Sequence, residues 1–258
     1  NQRGDDRTYQ YGPSWAYQIN RDFSVGATLY VFQREHFNLK NRLLNSNDSN
    51  ETWRFQNNEG SELGYRMIAG MMWSPIEPIS LSLVLKNTVL THKEESTQIS
   101  TKPAASSNVA QVTTYNNELR TMPFEMTIGF AWFVSPYILY TIDADNYFIN
   151  AKNKTNVTNI STGLEVYINE KNVLRGGLYT NLDNDTEPDA TTTGQEKVDC
   201  YGFGLGYSIF NGPTMITAGA VLSIGYGKAQ IDPDNPSNIQ DLTRETWSFS
   251  LAVSYNID

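Results

Sequence analysis

The sequence predicts an all-β protein, an antiparallel transmembrane β-barrel. Three observations predict this fold class. Apolar and polar residues alternate with a period of two along most of the 258 residues, which is typical of strands with two different faces. No apolar run approaches the roughly 18 residues of a transmembrane helix. Aromatic residues reach 12%, with 15 tyrosines. The mean hydropathy of -0.45 fits because a barrel strand shows lipid on one face only.

The alternation defines about eleven strands and two kinds of face. In the C-terminal segment, the apolar face carries Trp247, Phe249, Leu251, Val253, Tyr255 and Ile257. In most strands the second face carries Gly, Ser, Ala and Thr with scattered charges, which suits a polar barrel interior better than the solvent face of a sandwich. The predicted strands are 9–19, 23–43, 62–74, 79–93, 117–134, 137–150, 158–168, 173–182, 198–210, 214–230 and 245–257.

The connections alternate between short turns and long polar loops. Long loops are predicted near 45–60, 94–117, 183–197 and 231–243, with a shorter break near 152–157. Short turns are predicted at 20–22, 75–78, 135–136, 169–172 and 211–213. This is the outer-membrane pattern of periplasmic turns and extracellular loops. The short-turn side carries an expected aromatic girdle of Trp73, Trp132, Tyr137, Tyr167 and Phe210. Because bacterial single-chain barrels have even strand numbers, eleven strands suggest that upstream strands are missing or that the predicted strands are one too many or one too few.

Four stretches carry a family resemblance, in an order and spacing that extends over roughly 10–230. They are 12–20 followed by 23–27; 122–136 followed by the Asp143/Asp145 strand; 163–167 followed by 173–179; and 201–207. On these stretches the chain resembles the C-terminal part of the FadL/TodX-type outer-membrane transporters of long-chain fatty acids and other hydrophobic compounds.

The resemblance implies a monomer in the bacterial outer membrane, built as a fourteen-stranded barrel. Residues 1–258 would then be a single barrel domain that lacks three N-terminal strands and the plug. The family's N-terminal Asn-Pro-Ala motif and kinked third strand have no counterpart here. The last residue is Asp258 and not the aromatic residue usual for barrel assembly. The implied partners are the lipid bilayer, lipopolysaccharide and a hydrophobic small molecule.

The second predicted strand is too long for the membrane and carries the candidate ligand residues. At about 3.3 Å per residue it exceeds the apolar band of about 25 Å and must project outside. Cationic and polar side chains on one face lie beside apolar ones on the other, which suggests recognition of an amphipathic carboxylate. The alternative is a strand end that binds anionic lipopolysaccharide or nothing. The candidates are Arg34, His36, Phe37, Leu39, Lys40 and Arg42.

A second group of charges is predicted to face the lumen. Glu165 and Arg175 flank one short turn and are expected to pair diagonally. Asp143 and Asp145 could resemble an acid–base couple, but structural ion pairs in a watery lumen are the preferred interpretation. The full group is Arg66, Lys86, Glu125, Asp143, Asp145, Glu165 and Arg175.

The remaining polar motifs do not predict an enzyme or a metal site. His36 and His92 are the two histidines and stand apart in the sequence. The acidic segments 183–189 and 232–235 could bind calcium, but they lack EF-hand spacing, so solvated loops are preferred. Cys200 is the single cysteine, which excludes an internal disulfide and suggests a small lumen residue.

The favoured function is an outer-membrane channel for uptake of hydrophobic small molecules such as fatty acids or aromatic hydrocarbons. The alternative is a polar porin or a structural or adhesive barrel. A transporter needs an apolar pocket and a plug, whereas a porin needs an open polar pore. The net charge of -9 argues against nucleic acid as a partner. The sequence implies no cofactor and no metal.

Overall fold

The chain is built from long strands joined in antiparallel pairs. The computed structural model describes residues 2–44, 52–103, 108–189, 195–230 and 237–255. These ranges contain thirteen strands: β1 (Gln2–Tyr11), β2 (Ser14–Gln18), β3 (Phe23–Leu44), β4 (Thr52–Ile76), β5 (Ile79–Pro103), β6 (Ala110–Tyr115), β7 (Phe124–Ser135), β8 (Ile138–Phe148), β9 (Val157–Asn169), β10 (Asn172–Asn181), β11 (Glu196–Asn211), β12 (Thr214–Gln230) and β13 (Ile239–Tyr255). Within the described ranges, no helix is both long and apolar enough to cross a membrane.

Neighbouring strands in the sequence are neighbours in the sheet. The order is β1-β3-β4-β5-β7-β8-β9-β10-β11-β12-β13, while β2 pairs with β3 and β6 pairs with β5 outside this path. The path therefore contains eleven strands, the number that the alternation predicts, and the short strands β2 and β6 lie beside it. The predicted all-β antiparallel fold class is confirmed. The expected absence of three upstream strands and of a plug stays a prediction.

The first predicted strand, 9–19, is wrong because it combines two strands. β1 begins at Gln2, and the chain breaks at Gly12 and Pro13 before β2. Pro13 has no N–H to donate to a ladder. A Cβ on Gly12 would lie 1.9 Å from the carbonyl oxygen of Leu29, so the backbone of this break presses directly against β3.

The long loop predicted near 94–117 is also wrong, because most of it is a hairpin. β5 continues to Pro103, and β6 pairs with it from Ser96↔Tyr115 to Thr101↔Ala110. The β-branched residues of this stretch favour strands although their alternation is not apolar. For the same reason β4 begins at Thr52, inside the loop predicted near 45–60, and β13 begins at Ile239, inside the loop predicted near 231–243. Residues 45–51 and 231–236 lie outside the described residues.

The predicted strand 117–134 is shorter than expected. β7 begins only at Phe124, after Pro123. Residues 116–123 form no regular structure. The other boundaries agree closely with the prediction, and β12 spans the predicted 214–230.

The contacts divide the chain into two compact units. Unit 1 consists of Asn1–Trp15, Ala27–Ile68 and Asn87–Met122. It contains β1, β6 and the parts of β3, β4 and β5 that are remote from the short turns. Unit 2 consists of Ala16–Gly26, Ala69–Lys86 and Pro123–Asp258. It contains the turn-proximal parts of the same three strands and all of β7–β13.

In unit 2 the two faces of a strand differ most clearly on β11. Along β11, the side chains of Tyr201, Phe203, Leu205, Tyr207 and Ile209 are exposed, and we call this the apolar face. The other face, called the sheltered face, is glycine-rich and ends at Ser208, which is 0% exposed. On that face the Tyr179 ring lies against Gly202, where an added Cβ would approach the ring to 2.0 Å. Along β13, the side chains on both faces are exposed from Trp247 to Tyr255, so exposure does not distinguish the two faces there. Ile257 lies outside the described residues.

In unit 1, β4 also has two different faces. Leu63, Tyr65 and Met67 are exposed, whereas Glu62 and Gly64, which flank Leu63, are buried. β3, β4 and β5 are 22, 25 and 25 residues long. At about 3.3 Å per residue, the 25-residue strands measure roughly 80 Å. They are therefore far longer than an apolar band of about 25 Å requires, even at the usual tilt.

The two faces of β13 predict unequal responses to charge. Leu251 is 75% exposed on the apolar face, and Ser250 is its neighbour on the other face. In a bilayer, Leu251→Arg should lower the free energy of unfolding by about 2–4 kcal/mol, because arginine near the midplane is poorly solvated. Ser250→Arg, the matched control, should cost less than about 1 kcal/mol. Denaturant unfolding in lipid vesicles measures both values, and equal costs would contradict the assignment of the faces.

Candidate functional site

The sheltered face of unit 2 contains a line of polar side chains that crosses four neighbouring strands. Arg175 on β10 donates from Nε to Glu165 on β9 and from Nη1 to Ser208 Oγ on β11, the latter at 2.5 Å. Ser208 Oγ in turn lies 2.8 Å from Thr217 Oγ1 on β12. The expected Glu165–Arg175 pairing is confirmed, although the two residues are directly opposite each other and not diagonal.

Four more of the predicted lumen charges lie on neighbouring strands of unit 2. Lys86 and Glu125 are opposite each other, with Nζ 3.6 Å from Oε2. Thr127 Oγ1 donates to Asp145 Oδ1 at 2.5 Å. Asp143 lies two residues before Asp145 on the same face and opposite Gly129. The seventh predicted charge, Arg66, belongs to unit 1. The sheltered face therefore presents both signs of charge together with hydroxyl groups.

In unit 1, the structure places Arg34 in an ion network that the sequence did not predict. Arg34 binds the carboxylate of Asp6 on β1 through Nε at 2.9 Å and Nη2 at 2.5 Å. Its Nη1 lies 3.5 Å from Glu62 Oε2 on β4. Arg120, from the segment before β7, binds both oxygens of Glu62 at 2.7 Å. Glu62 is only 2% exposed, so its buried charge is neutralised by two guanidinium groups.

The network controls the protonation of its carboxylates. Burial by itself raises the pKa of Glu62, but the hydrogen bonds from Arg120 and the charges of both arginines outweigh it and lower that pKa below 4.5. The hydrogen bonds from Arg34 lower the pKa of Asp6 below its ordinary 3.8. Both side chains are therefore ionised at neutral pH.

The other predicted ligand residues are divided between two surroundings. His36 shares the face of Arg34, and its Nε2 lies 3.9 Å from Glu95 Oε1. Phe37 points to the opposite face and is exposed. Leu39 and Lys40 are half-buried further along β3. Arg42 lies in β3, but its side chain is outside the described residues. The sequence thus places these residues on the correct strand, and ligand binding by them stays a prediction.

A cleft of about 690 Å³ in unit 1 includes two of the predicted ligand residues, His36 and Phe37. The charged residues of its lining are mainly acidic, with Arg7 as the one arginine, and Tyr115 adds a second aromatic ring beside Phe37. Arg7 is already bound to Asp5, at 2.7 Å. The remaining lining residues are Glu35, Glu59, Gly60, Ser61, Glu94, Glu95, Ser96, Tyr115 and Asn117. Such a cleft offers a ligand carboxylate little attraction.

The acidic segment after β10 is held by lysine and amide groups in unit 2. Lys154 Nζ lies 2.6 Å from Asp185 Oδ1 and 3.2 Å from Asn184 Oδ1. Gln195 donates to the carbonyl oxygen of Thr186 at 2.7 Å. In the described part of the chain, no three His, Cys, Asp or Glu side chains form a group suited to a metal ion. The second acidic segment, 232–235, lies outside the described residues. Cys200 is buried on the sheltered face of β11.

Comparisons with known proteins identify the fold. The sequence matches no protein-family model and no curated protein. The structure resembles a Pseudomonas aeruginosa FadL homologue with a TM-score of 0.63 and 12% identity, over 98% of this chain and 68% of that one. It resembles the monoaromatic hydrocarbon channel CymD with a TM-score of 0.66 and 12% identity, over 98% and 74% of the two chains. For the P. putida toluene transporter TodX the TM-score is 0.64 at 12% identity, over 97% and 69%.

This likeness confirms, at the level of the fold, the resemblance to the FadL/TodX type that the sequence predicts. The chain has the fold of these proteins along nearly its whole length. At 12% identity the likeness applies to the fold, and it does not transfer individual site residues.

The polar line of unit 2 predicts a difference between two ion pairs. Glu165→Ala should lower the free energy of unfolding by about 1–3 kcal/mol, because Arg175 loses a charged partner at a sheltered position. The control is Glu196→Ala, which removes the partner of Arg244 in a pair about half exposed on both sides. Exposed pairs contribute less than about 1 kcal/mol. Denaturant unfolding of the two variants measures both losses, and a Glu165→Ala loss no greater than that of the control would contradict the ranking.

The lowered pKa of Glu62 predicts a pH dependence. A depressed folded pKa stabilises the protein fully above the ordinary 4.5, and this contribution is lost as pH falls through the lower folded value. In Arg120→Gln the pKa of Glu62 rises, so acid destabilisation should begin at a higher pH than in the wild type. Thermal unfolding midpoints between about pH 3 and 7 measure this shift. Arg244→Gln is the control, and an unshifted acid limb in Arg120→Gln would refute the prediction.

Proposed function

We propose that this chain forms the wall of a bacterial outer-membrane channel for hydrophobic small molecules and that it is not an enzyme. The observation that carries the proposal is the fold, which a FadL homologue, a channel and a transporter share with TM-scores of 0.63–0.66. The titles of two of them name a monoaromatic hydrocarbon channel and a toluene transporter. The two-faced strands add support, because apolar side chains face one way and small or polar ones the other.

The surroundings of such a channel follow from its strands. The apolar face would contact the lipid bilayer, and the overlong ends of β3, β4 and β5 would extend among lipopolysaccharide molecules. The proposed assembly is a monomeric barrel of fourteen strands, of which this chain is the larger part, completed by a plug. The lipopolysaccharide layer resists direct diffusion of hydrophobic compounds, which gives the channel its role.

The proposed substrates are fatty acids or aromatic hydrocarbons, and their apolar part would dominate recognition. A ligand carboxylate at Arg34 would have to compete with Asp6 and Glu62, which already bind its guanidinium group. Lys40 is then the described candidate cation for a head group near Phe37 and Leu39, because His36 already lies 3.9 Å from Glu95. Exposed charges contribute at most about 1 kcal/mol, whereas each buried CH₂ contributes about 0.8 kcal/mol.

The polar porin remains the second candidate, and one observation favours it. The sheltered face of unit 2 carries the line from Glu165 through Arg175 and Ser208 to Thr217, and Asp143 and Asp145 lie on the same face. Hydroxyl groups and charges of both signs would suit the wall of a watery pore.

A chain-length series separates the two candidates. The full-length protein, reconstituted in vesicles, is titrated with n-alkanoic acids of increasing length and with a neutral aromatic hydrocarbon. We expect the affinity to rise about fourfold per CH₂, the equivalent of 0.8 kcal/mol. Lys40→Gln should change it by less than about fivefold.

A small sugar is the control solute, and vesicle swelling measures its flux. Affinity that ignores chain length, together with free passage of the sugar, would favour the porin and end the hydrophobic-channel proposal.

A further inference from the structure

A segment without regular structure connects β6 to β7, and we call residues 116–122 the strap. The strap belongs to unit 1, and residues 116–121 are exposed. At its start, the Asn116 N–H donates to the carbonyl oxygen of Glu95 at 2.8 Å. Near its end, Arg120 binds both oxygens of Glu62 at 2.7 Å. Leu119 between these contacts is half exposed, so the strap buries little apolar surface.

The strap spans a stretch of β5 that lies between two ladders. β5 pairs with β6 from Ser96 to Thr101 and with β7 from Ile79 to Lys86. In the described pairings, residues 87–95 between them belong to neither ladder. The strap takes the place of a strand between the two ladders, and its described contacts with the neighbouring strands include one backbone hydrogen bond, from Asn116 to Glu95, and the side-chain contact of Arg120 with Glu62.

The Arg120 side chain reaches the sheltered face of β4, because Glu62 alternates with the exposed Leu63 on that strand. To reach β4 it must cross β5, the strand between β4 and β7 in the sheet order. Thr88 and Leu90 on β5 are buried in the same unit. The strap therefore inserts one long charged side chain across the inner side of the wall.

Among the described residues, few contacts other than the Arg120–Glu62 pair hold the strap in place. Segments with little buried apolar surface open locally at low free-energy cost. The Arg120–Glu62 contact is bidentate and buried at the carboxylate, and removal of one partner would leave a buried charge short of a counter-ion. Arg34 and Asp6 continue the network, so Glu62 is held in place from the other side when Arg120 leaves.

We propose that the strap is a gate over the sheltered face of unit 1 and that the Arg120–Glu62 pair is the pin that keeps it closed. Release of the pin frees residues 116–122 and uncovers the edge of β5 residues 87–95 that neither the β6 nor the β7 ladder occupies. The role as a gate rests on the proposed function as a channel. The pinning does not, because it follows from the contacts alone.

The first measurement is strap mobility in the full-length protein in lipid nanodiscs. A nitroxide is attached at Leu119→Cys after Cys200→Ser has removed the native thiol. In Arg120→Gln we expect the ratio of mobile to immobile spectral components to rise at least about tenfold. The free energy lost with a buried ion pair is larger than a tenfold change in this ratio requires. Arg120→Lys keeps the charge without the bidentate fork and should give an intermediate ratio.

Further variants test whether Glu62 is the partner. Glu62→Gln should match Arg120→Gln, and the double variant should show no additional mobility. Arg244→Gln, which breaks an exposed pair on β13, is the matched control and should leave the spectrum unchanged. Should Glu62→Gln fail to fold, the two Arg120 variants still decide, because Arg120 is the more exposed partner, 42% against 2%, and its backbone belongs to the strap.

The second measurement is single-channel conductance in potassium chloride across planar bilayers. It needs no hydrophobic substrate, so it remains informative if the chain-length series fails. We expect the open probability of Arg120→Gln to exceed that of Arg244→Gln at least about tenfold, in parallel with the mobility. An unchanged nitroxide spectrum would overturn the pin. A mobile strap with wild-type conductance would overturn the gate.

Discussion

The requirement that each backbone N–H and C=O find a partner within the protein governs this structure. Hydrocarbon offers no hydrogen bonds, so strands that cross it need uninterrupted ladders on both sides. β11 and β12 satisfy this with a continuous register from Glu196↔Ala229 to Asn211↔Thr214. In a continuous ladder, successive side chains point to opposite faces of the sheet. Each residue therefore lies on either the apolar or the sheltered face.

The commitment to faces explains how the charges are arranged. A polar group on the sheltered face finds its partners on the adjacent strands, since those are its nearest neighbours on that face. In unit 2 the result is a shared line of hydrogen bonds in which Arg175 is central. In unit 1 the same rule brings Asp6 and Glu62 to Arg34 from the strands on either side. Arg120 is the exception, because it reaches Glu62 from a segment that is not a strand.

The sequence predicts the strands in which apolar and polar residues alternate, because that alternation accompanies the backbone pairing. β12 has the predicted bounds, and the short turns at 77–78 and 212–213 fall where Pro and Gly indicate them. The outer ends of β4 and β5 and the whole of β6 were missed. These parts are mainly polar, apart from a few residues such as Trp53, Phe55 and Ile99, so the alternation that identifies membrane strands is too short there although the backbone pairing continues.

The same distinction holds for the site. Glu165 and Arg175 were expected to pair because they flank one turn and are only ten residues apart. Glu62 and Arg120 are 58 residues apart, and the sequence indicates a strand where the strap lies. Contacts of this kind depend on which strands become neighbours, and a single sequence specifies that only after the fold is known. The position of Glu62 between Gly60 and Gly64 on one face of β4 is a local signal of a sheltered carboxylate.

The contact between Tyr179 and Gly202 has a consequence for redesign of the wall. The two residues are directly opposite each other in the β10–β11 register, and the ring occupies the space a side chain would need. A slip by one residue would bring Tyr201 or Phe203 opposite the ring and invert both faces. The Tyr179–Gly202 contact therefore helps to fix the register of β10 against β11. A redesign that duplicates strands should copy β10 and β11 together, and substitutions should be made on strands that lack such a contact.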